Sequence, residues 1–327
     1  MMNLTPIPNA GIVPVRLEHE QIVRRALLHR KSARTLHEYE KAWGYFETWC
    51  AQHGYQSLPA DALIVSAYLA DSARHNKKVA TLRQWSAAIG YKHRLAQCDD
   101  PTRAEGCKET LEGLAREYGT AQDKEAPITR DELAQMLLHV PDDLRGARDR
   151  ALLLVGFCGA LRRSELVALE VRDIDFADGD AILTLRQSKT DQAKHGETIC
   201  LPSDADALLN PVRALGEWLA IAQLSEGKVF RKIDRWGQVW ARGLTAPRVA
   251  EMVKKYAALA GIDPQRVSGH SLRAGFITTA ARKGMTAPQI ATISRHKSMD
   301  VLQGYVRDSG KMQRDVIAAV LKGETAL

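Results

Sequence analysis

Leu36, Tyr39, Trp43, Phe46 and Cys50 recur at steps of three and four. That spacing puts them on one helical face and predicts a helix over 32–50, ended by Gly54. Asp61 is a good N-cap for a second helix running through Leu63, Ala67, Tyr68 and Leu69. Leu82, Trp85, Ile89 and Lys92 keep helical register over 79–95, and a fourth helix is expected over 103–118. A short helix over 18–31 precedes them and ends in Arg24, Arg25, Arg30 and Lys31. Residues 1–17 hold three prolines and no periodicity, and read as a flexible arm. The expectation is an all-helical domain over 18–118.

Residues 119–127 lack bulky apolar side chains before Pro127 and read as a linker. A second domain is then expected over 128–327. Thr129-Arg130-Asp131-Glu132 is a capping box that opens a helix with Leu133, Met136 and Leu137 inward. The run 144–158 predicts a longer buried helix halted by Gly159, followed by a short helix over 164–169. Strand-like patterns cover 171–176, 181–186 and 197–201, with a tight turn at Asp178-Gly179-Asp180. A polar loop, 187–196, carries Lys189, Lys194 and His195. Helices resume after Asn210-Pro211, over 245–259 and over 273–282, then after a second capping box at Thr286–Gln289 and after Ser298. Met312, Val316, Ile317, Val320 and Leu321 form an apolar stripe on a final helix. The fold class expected is mainly α with a small antiparallel β-sheet.

The chain has 327 residues, 45% hydrophobic and 26% charged, which suits two globular domains. Its net charge is +7, from 46 basic and 39 acidic residues. That excess fits a nucleic-acid partner without requiring one. The five cysteines match no zinc spacing and read as reduced thiols of an intracellular, cytoplasmic protein. The N-terminus shows no signal-peptide pattern, and the apolar run near 151–161 is too short for a bilayer.

Charge changes the picture at the third helix. Arg74, His75, Lys77 and Lys78 stand before it; Arg83, Gln84, Lys92, His93 and Arg94 lie on it. This reads either as a solvated face or as a helix laid against DNA, with Lys77, Lys78, Arg83 and Arg94 as candidate contacts.

The stretch 270–305 changes it more. It holds His270, Arg273, His296 and Tyr305. Arginine and histidines can hold the oxygens of a phosphate, and a tyrosine can attack it. With Arg162-Arg163-Ser164-Glu165 and Lys189 upstream, the set resembles the tyrosine recombinase, or phage integrase, family. The order is the family's, and His296 and Tyr305 stand nine apart as the family has them.

The resemblance implies a helical, SAM-like core-binding domain and an α+β catalytic domain of the Cre and Xer kind. It implies that Arg162 and Arg273 clamp the non-bridging oxygens, which a lysine would do less well. It makes His270 a hydrogen-bonding or general-base residue and His296 a donor to the phosphate. Lys189 becomes the general acid for the leaving 5′ oxygen, with Lys194 as its rival. Tyr305 becomes the nucleophile of a 3′-phosphotyrosyl intermediate, and Glu165 an orienting group. Arg163 is expected in a surface ion pair. The family often has Leu-Gly-His where this chain has Ser294-Arg295-His296. No metal, cofactor or ATP is implied. The implied partner is double-stranded DNA, held by a homo-tetramer on two sites through the C-terminal helix; accessory proteins are compatible with this, and a membrane is not involved. The rival readings are a type IB topoisomerase and a non-cleaving DNA-binding protein on the same fold.

Overall fold

The computed structural model describes residues 31–120, 125–186, 197–203, 208–296 and 298–308. The arm, residues 18–30 of the first expected helix, the loop bearing Lys189 and the C-terminal stripe lie outside them. The chain divides into two compact units, Met1–Asp123 and Lys124–Leu327.

Among the described residues of the first unit four helices surround one core. They are α1 (Ala33–His53), α2 (Ala62–Arg74), α3 (Val79–Leu95) and α4 (Glu105–Tyr118). Ser32 caps α1 by accepting from the Thr35 N–H at 3.1 Å, and Gly54, at φ 72°, ends it. Trp43, Phe46, Val65, Leu69, Leu82, Ile89 and Cys107 meet in the core. Leu63 does not join them and is 76% exposed, because α2 turns Val65, Tyr68 and Leu69 inward instead. The fourth helix starts two residues later than expected. A 3-10 turn, Pro101–Arg103, capped by Asp100, takes its first residues.

His93 corrects the reading of the third helix. It is fully buried. Its Nδ1 donates to the Ile89 carbonyl at 2.9 Å and its Nε2 accepts from the Ala60 N–H at 2.9 Å. Residues 82, 86, 89 and 93 share the inward face, so this histidine is a satisfied core group and cannot face a duplex.

The second unit is built on α6 (Leu144–Cys158), which follows α5 (Arg130–Leu138). Residues 151–157 of α6 are buried all round, and the helix packs chiefly against α8 (Pro211–Ile221). The capping box before α5 forms: the Thr129 N–H donates to Glu132 Oε2 at 2.7 Å. Between α6 and α8 come the short α7 (Arg163–Ala168) and an antiparallel sheet, β1 (Ile174–Ala177), β2 (Asp180–Leu185) and β3 (Glu197–Leu201). Asp178 and Gly179, both at positive φ, make the β1–β2 turn, and Leu185 pairs with Glu197 across β2–β3. The expected strand start, 171–173, is a 3-10 turn.

A second hairpin, β4 (Arg231–Ile233) and β5 (Val239–Gly243), was not anticipated; its strands are too short and too cationic to show a period of two. Then follow α9 (Ala246–Leu259), α10 (Ser271–Arg282), α11 (Ala287–Ser294) and α12 (Met299–Asp308). Ile277, Ala280, Ala281, Ile290 and Leu302 form a small separate core that joins the last three. All five cysteines are free thiols. Among the described residues no helix is long and apolar enough to cross a membrane.

Candidate active site

The end of α6 sets the site up. After Cys158 the chain turns at Gly159 and Ala160, the latter at φ 44°, and the Leu161 N–H bonds back to the Gly156 carbonyl at 3.0 Å. The carbonyls of Gly159 and Ala160 are left for other donors, at the end of the helix where its dipole is negative. Arg162 follows, at the N-cap of α7. Glu165 holds it twice: it accepts from the Arg162 backbone N–H at 2.9 Å and from the guanidinium at 2.5 Å. Burial by itself would raise the Glu165 pKa. The Arg162 N–H and the charges of Arg295 and Arg162 outweigh that and hold the carboxylate below its usual range.

Arg273 reaches the same place from α10 and is only 5% exposed. It donates to the Ala160 carbonyl at 2.6 Å and to the Ser294 carbonyl, and lies 3.3 and 3.4 Å from the two ring nitrogens of His296. Burial first, then the charges of Arg162 and Arg295, push its pKa down to about 9, so it stays charged at neutral pH. Gly275 on the same helix lets the Ile128 backbone pass where a side chain would collide with it.

The segment after α11 carries His296. Arg295 sits at φ 56° and ψ 40°, left-handed backbone that suits the glycine of the family pattern. For an arginine it costs roughly 1–2 kcal/mol. The His296 Nδ1 stands 2.9 Å from the Ser294 hydroxyl. Burial, then Arg273, Arg162 and Arg295, lower the His296 pKa to about 4. At neutral pH the ring is therefore uncharged and offers one N–H.

Tyr305 is half-buried on α12, packed against the small core of α10 and α11. It is close enough to Arg273 for the two groups to interact electrostatically. His270 stands at the start of α10 with an edge exposed; its backbone N–H donates to the Ser268 hydroxyl at 3.0 Å. Partial burial and the charge of Arg163 lower its pKa. Arg163 is half-buried across Gly269 and beside His270, rather than in the surface ion pair expected of it. Tyr256, by contrast, is wholly buried and donates to Asp149 at 2.9 Å, which fits a core group. Lys189 and Lys194 lie outside the described residues.

Arg162, Glu165, Arg273, His296 and Tyr305 thus gather from four separated segments of one unit. The sequence profile of the phage integrase family matches residues 127–312, which span all of them. The chain belongs to the phage integrase family. An integrase/recombinase of Selenomonas ruminantium, named a XerD homolog, is 36% identical over 299 residues, covering 89% of this chain and 86% of its own. Two solved structures share the fold. The Tn1549 transposon integrase in complex with transposon right end DNA aligns at a TM-score of 0.61 and 15% identity, over 92% of this chain and 98% of its own. The XerH site-specific recombinase bound to palindromic difH substrate, in a post-cleavage complex, aligns at 0.59 and 17%, over 81% and 73%. The protein is a site-specific tyrosine recombinase.

Two cationic surfaces of this recombinase remain. In the first unit Lys77, Lys78 and Arg83 are exposed, while Arg94, also exposed, pairs with the nearly buried carboxylate of Asp100. Lys77 joins Lys41 in a groove of about 690 Å³ beside Trp49 and Trp85. In the second unit a groove of about 770 Å³ is lined by Arg145, Arg148, Lys232, Arg242, Arg248 and Lys255, with Asp143, Asp149 and Glu251 among them. The β4–β5 hairpin borders it through Lys232, Ile233, Arg242 and Gly243, and elsewhere on the hairpin Trp236 is 76% and Trp240 50% exposed, with the Arg235 guanidinium 4.0 Å from the Trp236 ring centre. Sequence reading passed over this groove. Its signal was the run 228–242, which holds five basic residues and two tryptophans.

Proposed function

We propose that this recombinase cleaves double-stranded DNA with Tyr305 as nucleophile and Arg162, Arg273, His270 and His296 around the scissile phosphate. Lys189 is the proposed general acid. The observation that carries the reading is the Arg273–His296 contact beside Arg162, because it joins two guanidiniums and an uncharged imidazole in one partly buried place. An in-line attack by the Tyr305 oxygen places extra negative charge on the non-bridging oxygens, which two arginine forks neutralise. His296 adds its N–H. The phosphate's own charge draws a proton toward that ring and opposes the neighbouring arginines. The Tyr305 proton passes to His270 as base, the 5′ oxygen leaves with a proton from Lys189, and the phosphotyrosyl ester keeps the energy for rejoining. The helical 18–118 domain and the 128–327 domain divide DNA holding and chemistry between them, with Lys77, Lys78, Arg83 and Arg94 toward phosphates.

Assembly as a homo-tetramer on two sites belongs to the same proposal. An apolar groove of about 330 Å³, lined by Leu133, Leu154, Phe157, Leu209, Phe276 and Met285, supports it, because the stripe Met312–Leu321 of a second copy has matching chemistry. A cytoplasmic, nucleoid-associated location completes it.

The test is a pool of nicked random-sequence duplexes incubated with the protein, followed by sequencing of covalently trapped DNA. Wild-type protein is expected to give an adduct enriched in one site. Tyr305→Phe should bind that site and trap nothing; an adduct formed by the phenylalanine variant would remove Tyr305 from its role.

A further inference from the structure

We propose that Arg295 is a positioning residue of this active site, whose buried guanidinium braces Glu165, and through it Arg162, against the turn that presents His296. The inference rests on the active-site reading above. Its starting point is a mismatch between backbone and side chain. At φ 56° glycine is the undemanding choice, yet an arginine occupies the position and is 9% exposed. A strained backbone with a buried charge persists when its surroundings hold it there.

The contacts show what it holds. Nη1 donates to the Ile293 carbonyl at 2.6 Å, so the side chain folds back and fixes its own turn. The same nitrogen reaches the Gly159 carbonyl at 3.2 Å, at the end of α6. Nη2 donates to Glu165 Oε2 at 2.9 Å. That oxygen also accepts the Arg162 N–H, while Oε1 takes the Arg162 guanidinium. Nε faces Glu197 Oε2 at 3.3 Å without a hydrogen bond between them, and both atoms are buried. Arg295 therefore lies between the chemistry and its frame. Glu165 can orient Arg162 only while its own charge is balanced, and Arg295 supplies that balance from inside. The Ala160 carbonyl, which accepts from Arg273, stands 3.5 Å from Arg295 Nη2, so both arginines are referred to one fixed point.

Arg295→Gly tests this, because glycine keeps the turn and removes the brace. The probe is a nicked duplex carrying the sequence trapped by wild-type protein. Arg295→Gly is expected to bind it within about twofold of wild type and to cleave it about a hundredfold more slowly in single turnover, as for a displaced reacting group. Because Arg295 acts through Glu165, adding Arg295→Gly to Glu165→Gln should slow cleavage further by no more than about threefold. Arg295→Lys keeps the charge with a single point of attachment and should recover part of the rate. Cleavage by Arg295→Gly at the wild-type rate, or losses that multiply in the double variant, would overturn the proposal. If the glycine variant fails to fold, the lysine variant decides: slowed cleavage with normal binding supports the brace, and an unchanged rate refutes it. If neither folds, the side chain serves stability alone and the proposal falls. Loss of the adduct in Tyr305→Phe, run alongside, separates failure of this inference from failure of the active-site reading.

Discussion

The exposed cations around α3 and the buried arginines beside α6 are the same kind of residue used under opposite conditions. Lys77 and Arg83 stand in water, where a charge costs the fold almost nothing and any phosphate can approach it. Arg273 and Arg295 are 5% and 9% exposed, where an unpaired charge is expensive, so carbonyls and carboxylates surround each guanidinium. The first set is interchangeable and suited to holding a polyanion. The second is fixed in direction by the groups that surround it. Affinity and chemistry are therefore separable by where a cation sits.

The largest expected effect is at the buried end. Arg273→Lys keeps the charge and loses the fork, and should slow single-turnover cleavage about a hundredfold to a thousandfold, with duplex affinity little changed. A rate near wild type would mean that charge alone suffices and that burial confers no direction. Next comes the histidine inside the basic helix. His93→Leu leaves the Ala60 N–H unsatisfied and should lower stability by about 1–3 kcal/mol in urea unfolding. The salt dependence of DNA binding should not move; a change there would put His93 back on the DNA face. One position further, Arg94 stands on the exposed side of the same helix.

Arg83→Ala should lower affinity a few fold and reduce the slope of log K against log salt by about 0.9, one phosphate contact, with an unaltered melting temperature. An unchanged slope would make α3 a merely solvated face. The smallest effect is a matter of pH. Unfolded, His296 titrates near 6.5; in the fold it stays neutral until about 4. As pH falls through that window the unfolded chain takes up the proton first, so stability declines between about 6.5 and 4 and is fully present above it. Thermal melts of wild type and His296→Asn should converge in slope above pH 7 and separate below 6. Identical slopes would mean that neither burial nor the arginines act on the ring.

Much of this was legible in residue order. The three-and-four spacing of Trp43, Phe46 and Cys50, the Thr129 box and the Asp178-Gly179 turn each depend on neighbours in sequence, and each formed. The order Arg162, His270, Arg273, His296, Tyr305 marked the family before any coordinate. What failed depended on rotation or on distant partners. Leu63 is apolar but lies on the outer side of α2, and His93 is polar but lies on the inner side of α3. Polarity alone ranks these residues in the wrong order, because helical phase decides which way they face.

By itself the sequence determined most of the helices among the described residues and the motif order that marks the family, since these are encoded by local spacing. Tertiary structure decided which cations are buried, that Glu165 serves Arg162 and Arg295 at once, and that an arginine can stand in a glycine's backbone conformation. The reason is physical. Positions 165 and 295 lie 130 residues apart and carry no local signal of their contact, and a guanidinium is tolerated there only because carbonyls from the end of α6 and a carboxylate from α7 converge on it.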